Sequence, residues 1–431
     1  MQISRYIKTY PYEERPSCLL LYSTKKASII LLKEESYKSI EKGTLPTSDE
    51  AILSRLGMIV PHREGERQAM LGLLSELNTK NTGLNITTVL NLDCNFACIY
   101  CFEGGMKGRL YMSKETAELL IDFIKERFRN KKSLNIDFYG GEPLLSTGLI
   151  KSLSQAMRSF TESRGASYSF TIVTNGSLLT ERIAEELASM GLKSAKITID
   201  GPKKNHDIFR PFKTGSGTFD VIIRNIKDTN RVIKIQIGGN YTRENYRDFP
   251  RLLDYMLEEG ITPDKISTVK FDPITKTGGD FAIPDFREGC ESINEPWLFE
   301  ASLFLREEIL KRGFNTPKIR PSPCMVEIKD DIVVNFDGTF YKCPGLIGWK
   351  GFAVGDLKTG IKDYKQSYNI DVWKRQECLN CEYLPICFGG CRYMKLLRDG
   401  KIDGVDCRKP YLDATLEAFI KQDIKYRLKA E

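Results

Sequence analysis

The middle of the chain alternates short apolar runs with longer amphipathic stretches. The apolar runs predict strands at residues 85–92, 134–139, 168–173, 194–199, 232–237 and 266–271. Helical periodicity lies between them, at residues 113–128, 180–190, 219–227 and 246–259. Strands separated by helices are typical of βαβ units, so they predict an α/β fold with a mainly parallel sheet, closed or partly closed into a barrel. In such folds functional side chains collect at the carboxyl ends of the strands.

The two ends of the chain have other patterns. Apolar runs at residues 18–22 and 27–32 flank a polar turn, which predicts a β-hairpin, and amphipathic helices follow from about residues 48 and 66. The last part has little periodicity before a final helix at about residues 411–428, and it contains seven of the twelve cysteines. We therefore expect a small α+β domain at 1–80, an α/β core at 81–310 and a loop-rich, metal-binding domain at 311–431.

Composition and charge narrow the classes of function. Hydrophobic residues make up 41% of the chain and charged residues 28%, which is ordinary for a folded globular protein. The net charge of +7 comes without a long basic block, so nucleic-acid binding has little support. The first residues lack an apolar signal segment, and the apolar runs are too short to span a bilayer. We interpret the chain as a cytoplasmic protein that acts away from membranes.

The twelve cysteines accompany only two histidines, His62 and His206. A framework of disulfides is not expected in a reducing compartment, so clustered cysteines indicate metal binding by thiolate. That ligand type favours zinc or iron-sulfur clusters over copper, nickel or a histidine-based hydrolase site. Cys18 begins an apolar run and is most simply a core thiol.

The first predicted strand of the core runs into a C-x3-C-x2-C loop formed by Cys94, Cys98 and Cys101. Three thiolates on one short loop can bind three irons of a cubane 4Fe-4S cluster, which leaves the fourth iron open to a small chelating molecule. A zinc site completed by a distant ligand, or a set of inert thiols, is the alternative.

The next three strands also end in polar or glycine-rich residues. The second ends in Tyr139-Gly140-Gly141-Glu142-Pro143, the third in Thr174-Asn175-Gly176 and the fourth in Thr198-Ile199-Asp200-Gly201-Pro202. Two adjacent glycines allow a ligand to approach the backbone closely, and a glutamate or exposed carbonyls can receive an ammonium group. Four such strand ends in succession favour a binding site over simple turns.

The cysteine loop with Tyr100 before its last cysteine, followed by Gly-Gly-Glu-Pro at the next strand end, resembles the radical S-adenosylmethionine (SAM) superfamily, whose members have a partial (β/α)6 barrel. The resemblance implies that Cys94, Cys98 and Cys101 hold a catalytic 4Fe-4S cluster whose open iron binds SAM. It further implies a SAM site formed by Tyr100, Gly140, Gly141, Glu142, Pro143, Asn175, Thr198, Asp200 and Arg210. In that site Glu142 and the two glycines meet the methionine ammonium, and Arg210 pairs with the carboxylate. An exposed structural arginine is the alternative for Arg210.

A second set of cysteines lies in the last part of the chain. From the residues alone, Cys378, Cys381, Cys387 and Cys391 fit a zinc ribbon, but seven cysteines exceed one zinc site. Their spacing is similar to the SPASM domain of peptide-modifying radical SAM enzymes. The resemblance implies two auxiliary 4Fe-4S clusters, so three clusters in all. Their implied ligands are Cys378, Cys381, Cys387 and Cys407 for the outer cluster, and Cys324, Cys343 and Cys391 for the inner cluster.

The inner cluster has one implied ligand too few. It either has an open iron, which a substrate cysteine can bind, or recruits Cys290; a closed cluster that only relays electrons is the alternative. The chain also departs from the sulfatase maturases of this family, which have an aspartate base directly after the second cysteine of the motif. Pro344 occupies that position here, so a base would have to come from elsewhere, for example Asp356.

The N-terminal hairpin and helices resemble the winged-helix-like peptide-recognition element of enzymes that modify ribosomally made peptides. That resemblance implies a leader peptide bound at a strand edge.

We expect a maturase of a ribosomally made peptide, geopeptide-type or related, that abstracts a hydrogen atom by means of a 5′-deoxyadenosyl radical and forms a cysteine thioether. A low-potential donor such as flavodoxin or ferredoxin would supply electrons. Carbon-carbon crosslinking or sulfatase-type oxidation of Cys or Ser is the enzymatic alternative. An electron-transfer or zinc scaffold is the non-enzymatic one.

Overall fold

The computed structural model describes residues 1–101, 103–274 and 295–428, so Cys290 lies outside the described residues. The N-terminal part begins with a three-stranded antiparallel sheet in the order β2-β3-β4. Leu20 of β3 lies opposite Leu31 of β4, which confirms the predicted hairpin, and β2 adds a strand that was not predicted. Its elements are β1 (Gln2–Ile3), β2 (Ile7–Pro11), β3 (Cys18–Ser23), β4 (Ile29–Lys33), α1 (Glu34–Lys42), α2 (Thr47–Arg55), β5 (Ile59–Val60) and α3 (Arg63–Lys80).

The middle of the chain contains all six predicted strands and all four predicted helices, with ends shifted by a few residues. Ser113 and Thr180 accept hydrogen bonds from the backbone amides of Thr116 and Ile183, which caps two of the helices. The elements are β6 (Gly83–Val89), α4 (Lys114–Arg127), β7 (Ser133–Tyr139), α5 (Thr147–Glu162), β8 (Ser167–Thr174), α6 (Glu181–Ser189), β9 (Leu192–Thr198), α7 (Lys203–Phe209), α8 (Phe219–Thr229), β10 (Lys234–Tyr241), α9 (Phe249–Glu258) and β11 (Ile266–Pro273).

The last part of the chain is built from short elements between two longer helices. The final helix continues as a π turn over Ile424–Leu428. The elements are α10 (Pro296–Lys311), β12 (Asp331–Val334), β13 (Phe340–Tyr341), β14 (Gly355–Asp356), β15 (Gly360–Ile361), α11 (Gln376–Leu379), α12 (Leu384–Cys387), α13 (Arg392–Asp399) and α14 (Lys409–Asp423).

One eight-stranded sheet organises the molecule, in the order β11-β10-β9-β8-β7-β6-β12-β13. Strands β6 to β12 pair in parallel, and β13 is antiparallel at the edge. The predicted α/β fold is confirmed. Strand β12 lies beyond the boundary expected at residue 310, yet it pairs with β6 through Asp331 opposite Asn85. The last part of the chain therefore extends the sheet of the core.

Strand β7 shows that the sheet has two different faces. Leu134, Ile136 and Phe138 are buried with exposures of 1% or less, in the apolar core beneath the helices. The alternate residues are polar: the hydroxyl of Thr171 on β8 donates to Asp137 at 2.6 Å. A parallel sheet covered on both faces is apolar on both, so the polar face indicates a concave, solvated interior. Within the described residues, no helix is long and apolar enough to cross a membrane.

Candidate active site

The first cysteine loop is held on one side by the Gly140-Gly141 turn. The amides of Gly141 and Glu142 donate to the carbonyls of Asn91 and Asp93 at 3.0 and 2.8 Å. A Cβ atom added at Gly140 would lie 2.4 Å from the Asn91 oxygen, and one at Gly141 would lie 2.2 Å from the Asp93 oxygen. The close approach that requires these glycines is therefore made by the chain entering the cysteine loop. Gly140 also has φ +147°, in a region that side chains disfavour.

The other side of the loop runs along residues 209–213. Ala97 and Ile99 donate backbone hydrogen bonds to Pro211 and Phe209 at 2.8 and 3.1 Å. The rings of Phe96 and Phe212 pack edge to face with centroids 5.1 Å apart. The loop is thus fixed between two segments that are distant in sequence.

The three thiols of the loop face one cation, Lys107. Burial raises the pKa of Cys94 to about 11, and it also raises the pKa of Cys101. Burial opposes the charge on Lys107, but the thiolates of Cys101, Cys94 and Cys98 together raise its pKa, and Cys101 accepts a hydrogen bond from it. The charges of all three sulfurs thus act on the same ammonium group. This arrangement fits a three-thiolate iron-sulfur cluster whose negative charge Lys107 partly neutralises.

Glu142 is fully buried and accepts hydrogen bonds from the neighbouring loops. Its Oε1 accepts hydrogen bonds from the amide of Leu144 at 3.0 Å and the hydroxyl of Thr174 at 2.8 Å. Its Oε2 accepts from the amide of Asn175 at 2.8 Å. Burial raises the pKa of this carboxyl, against the effect of these donors. With both oxygens engaged inside the protein, Glu142 positions the strand ends, and Pro143 is buried behind it.

Asn175 joins the third strand end to the cysteine loop. Its side-chain amide donates to Asn95 at 2.8 Å and lies 3.8 Å from the sulfur of Cys94. Its side-chain oxygen accepts from the amide and hydroxyl of Ser177 at 2.9 and 2.7 Å. Thr198 lies at the carboxyl end of β9, opposite Gly238 of β10, with its side chain half-buried. The predicted strand-end residues therefore meet at one edge of the sheet.

Tyr100, Asp200 and Arg210 form a buried network with Asn240, a residue that the sequence analysis missed. The Tyr100 hydroxyl donates to Asp200 and accepts from Arg210 at 2.7 Å and from Asn240 at 3.0 Å. The other oxygen of Asp200 accepts from the amide of Asn240 at 2.7 Å. Arg210 is 9% exposed, and its Nε atom has no hydrogen-bond partner within the described part of the chain. Arg210 is therefore a buried cation with donor capacity to spare, and the alternative of an exposed arginine is wrong.

His206 stabilises the backbone that carries this network. It is fully buried, accepts from the amide of Asp200 at 3.0 Å through Nδ1, and lies 3.0 Å from the Thr218 hydroxyl through Nε2. Since Nδ1 accepts, the ring hydrogen is on Nε2 and donates to Thr218, whose hydroxyl donates to the carbonyl of Arg210 at 2.7 Å. Burial, followed by the charge of Arg210, lowers the pKa of His206 well below its ordinary value, so the ring is neutral.

Lys107 and Glu103 are further residues of the site that the sequence analysis did not assign. Glu103 is 3% exposed, and burial raises its pKa to about 7, against the charge of Lys107. Its Oε1 has no hydrogen-bond partner among the described residues. Both residues lie within six positions of Cys101, which could have indicated a role in the site. Charged residues in loops are usually solvated, however, so the spacing alone did not distinguish these two from ordinary surface charges.

The C-terminal cysteines separate into two groups through their mutual charges. Burial raises the pKa of Cys378 to about 12, and the thiolates of Cys387, Cys381 and Cys407 act in the same direction. Burial likewise raises the pKa of Cys343 to about 12, with contributions from Cys391 and Cys324. The division into an outer and an inner ligand set stays a prediction. Among the described residues, no three or more His, Cys, Asp or Glu side chains are arranged to hold a single metal ion.

A buried ion pair connects the segments that carry the second group. Arg392 follows Cys391, and its guanidinium binds Glu327, which lies three residues after Cys324. The two side chains are 3% and 1% exposed. Arg392 also donates to the carbonyls of Phe388 and Gly390 at 3.1 and 3.0 Å. The pair fixes one cysteine-bearing loop against the other.

Asp356 is a poor candidate for a catalytic base. Its carboxylate accepts hydrogen bonds from the amides of Thr359 and Lys358, both at 2.8 Å, and from the Thr359 hydroxyl. These donors hold the pKa of Asp356 below its ordinary value. The carboxylate closes the β14–β15 turn, so it is not available for proton transfer.

A cavity of about 980 Å³ adjoins the C-terminal cysteines. Its wall consists of the carboxyl ends of β10 and β11, one face of α10, residues 316–325, the loops that carry Cys387 and Cys391, and the first part of α14. Cys324, Cys387 and Cys391 line it, so both C-terminal cysteine groups border the same space. The residues predicted to bind SAM do not line it.

Comparison with known proteins identifies the family. The profile of the radical SAM superfamily matches residues 89–256, which include the cysteine loop and the strand ends described above. The serine-type anaerobic sulfatase-maturating enzyme of Bacteroides thetaiotaomicron is 30% identical over 334 residues, which cover 69% of this chain and 80% of the relative.

Two solved structures share the fold. The structure of anSMEcpe with bound AdoMet and the peptide Cp18Cys is 19% identical, with a TM-score of 0.60 over 81% of this chain and 98% of that one. Streptococcus suis SuiB bound to its precursor peptide SuiA is 18% identical, with a TM-score of 0.53 over 94% of this chain and 98% of that one. With the profile match and the relative from B. thetaiotaomicron, these findings show that the chain belongs to the radical SAM superfamily.

Proposed function

We propose that the protein modifies a ribosomally made precursor peptide by joining a cysteine sulfur to a carbon atom of another residue. The carrying observation is the cavity of about 980 Å³, which is lined by Cys324, Cys387 and Cys391 and adjoins the carboxyl ends of β10 and β11. The peptides bound in the structures of anSMEcpe and SuiB support a peptide substrate.

Membership of the superfamily implies a 4Fe-4S cluster and SAM, and we assign Cys94, Cys98 and Cys101 as the cluster ligands. When bound, the two groups supply a 5′-deoxyadenosyl radical that removes a hydrogen atom from a substrate carbon. Arg210 holds the SAM carboxylate with the donor atoms that its internal partners leave unused. Because the Glu142 carboxylate is engaged, we assign the methionine ammonium to the backbone carbonyls of Gly140 and Gly141, at the edge where Thr198 also lies.

The C-terminal groups are proposed to hold two auxiliary clusters. Cys378, Cys381, Cys387 and Cys407 provide four thiols for one of them. Cys324, Cys343 and Cys391 provide three for the other, so a cysteine of the substrate can complete the set. Thioether formation removes one hydrogen from carbon and one from sulfur. The first leaves in 5′-deoxyadenosine and the second as a proton and an electron, so the reaction needs an electron acceptor close to the substrate, and we assign this role to the auxiliary clusters.

The N-terminal sheet is proposed to bind the leader of the precursor. Within the described residues β4 pairs only with β3, so its other edge has backbone donors and acceptors to offer. Leu31 on this strand is 36% exposed, which provides an apolar contact for an added strand. Of the two enzymatic alternatives, sulfatase-type oxidation loses support because Pro344 replaces the expected aspartate and Asp356 is engaged in a turn.

The test is the modification of a short cysteine-containing peptide encoded beside the gene. After anaerobic reaction, each thioether lowers the peptide mass by two hydrogen atoms and removes one thiol that iodoacetamide otherwise labels. We expect both changes together. A mass loss with every thiol still labelled would indicate a carbon-carbon crosslink and contradict the thioether. The variant with Cys94, Cys98 and Cys101 all changed to alanine is the control without reaction.

A further inference from the structure

Among the described residues of its wall, the large cavity has more cations than carboxylates. Two carboxylates face the cavity, and each has an internal partner: Asp272 pairs with Lys270 at 2.6 Å, and Asp406 pairs with Arg398 at 2.6 Å. Both carboxylates are therefore paired, so neither neutralises the charge of the other cations in the wall.

Most of the other cations near the cavity are also committed. Arg306 pairs with Asp423 at 2.6 Å and donates to Gln422 at 3.1 Å. Arg408 lies over the ring of Tyr411 at 5.6 Å, and Arg392 is paired with Glu327.

The other two cations of the described cavity wall are Lys318 and Arg320. Both line the cavity and are exposed, and neither has an ion pair or hydrogen bond within the described part of the chain. They lie on a short segment, residues 316–323, that is fixed at two points. The carbonyl of Ile319, between them, accepts from the Tyr22 hydroxyl of β3 at 2.6 Å, and the carbonyl of Thr316 accepts from Arg427. Pro317, Pro321 and Pro323 further restrict the backbone, so the two cations are presented from a fixed segment.

We propose that the peptide segment entering this cavity carries carboxylates next to the modified residue, and that Lys318 and Arg320 bind them. The inference rests on the proposed function, since it takes the occupant to be a peptide. Charge complementarity gives the reason: among the described residues, two unpaired cations and no unpaired carboxylate line the wall, which favours an acidic peptide and disfavours a basic one. Because Ile319 is anchored to β3, the same segment also connects the cavity with the sheet proposed to bind the leader.

The experiment compares two synthetic peptides on the cluster-loaded protein without reductant, so that no turnover takes place. The acidic probe is Gly-Glu-Cys-Asp-Gly, and the neutral probe is Gly-Gln-Cys-Asn-Gly, which has nearly the same shape without the charges. Ligand-detected NMR titration measures the dissociation constants. We expect the acidic probe to bind about fivefold to tenfold more tightly, with a preference that weakens as salt is added.

Matched variants locate the effect. Lys318→Gln with Arg320→Gln should remove the preference for the acidic probe and leave the affinity for the neutral probe within about twofold. Lys193→Gln with Arg224→Gln removes the same charge at two exposed residues outside the cavity and should retain the preference. Thermal melting of both double variants checks that they fold.

Equal affinity for the two probes, no binding of either probe, or a preference that survives in the Lys318/Arg320 variant would overturn the inference. These outcomes leave the proposed peptide modification standing, because that proposal is tested separately by the mass and thiol content of the precursor.

Discussion

Arg210 donates a hydrogen bond of 2.7 Å to the hydroxyl of Tyr100, a residue 110 positions away in the sequence. This bond joins the residue before the last cysteine of the catalytic loop to the buried guanidinium that we assign to the SAM carboxylate. Asp200 and Asn240 complete the network from two neighbouring strands. The orientation of Arg210 therefore depends on the fold of the cysteine loop.

Replacing Tyr100 with phenylalanine tests this dependence. The change removes the acceptor of Arg210 and Asn240, and a lost partner for buried donors costs about 1–3 kcal/mol. We expect the dissociation constant of SAM to rise about fivefold to tenfold with the iron content unchanged, as measured by equilibrium binding and iron analysis. Tyr111→Phe is the control, because Tyr111 is 44% exposed and its hydroxyl donates to Asp93 at 2.6 Å, outside the network of Arg210. Equal SAM affinity in both variants would contradict the proposed role of Arg210.

Gly141 is predicted to be essential for assembling the first cluster. An alanine at this position would bring its Cβ within 2.2 Å of the Asp93 carbonyl, so the stem of the cysteine loop must move. We expect Gly141→Ala to lose about a third of the bound iron, which is the share of one of the three proposed clusters. Gly148→Ala provides the comparison, since nothing lies within 4 Å of its added Cβ. Full iron content in Gly141→Ala would show that the loop tolerates the displacement.

His206 makes stability depend on pH. Since burial holds its folded pKa far below its ordinary value of about 6.5, the unfolded chain takes up a proton below pH 6.5 that the folded protein does not. His206 by itself should lower the free energy of unfolding by about 1.4 kcal/mol per pH unit below about pH 6.5, whereas the buried carboxyl of Glu103, with its pKa raised to about 7, acts in the opposite direction. The contribution of His206 is therefore the difference between the unmodified protein and the variant. We expect His206→Gln to show a smaller decrease between about pH 7 and pH 5.5 in denaturant titrations.

The other histidine of the chain gives the control for this titration. His62 is exposed, so His62→Gln should retain the decrease of the unmodified protein. If His206→Gln and His62→Gln lost the same amount of stability on acidification, the buried neutral ring would not be the cause.

The buried pair of Arg392 and Glu327 should be important for the C-terminal clusters. Glu327→Gln leaves the guanidinium without its counter-charge at 3% exposure, and removal of one partner from a buried pair costs about 3–5 kcal/mol. We expect a lower melting temperature and loss of auxiliary cluster iron. Glu76→Gln breaks an exposed pair with Lys80 and should change neither quantity. An unaltered melting temperature in Glu327→Gln would mean that the pair adds nothing to the fold.

The sequence predicted the features that depend on local patterns. Apolar runs identified six of the seven parallel strands, and short spacings placed Cys94, Cys98 and Cys101 on one loop. Their neighbours at other strand ends were found because parallel strands bring their carboxyl ends to one edge. Features formed by segments that are distant in the sequence had no local sequence pattern that could predict them. The pairing of β12 with β6 and the engagement of Glu142 with Thr174 and Asn175 are examples.

The most direct test of the account follows the hydrogen atom that the radical removes. The cluster-loaded protein is reduced with dithionite in the presence of SAM and a precursor peptide deuterated at its carbon-bound positions, and 5′-deoxyadenosine is analysed by mass spectrometry. The account predicts one deuterium in 5′-deoxyadenosine for each crosslink formed, and no product from the variant that lacks Cys94, Cys98 and Cys101. Modified peptide accompanied by undeuterated 5′-deoxyadenosine, or a fully loaded protein that forms none, would contradict it.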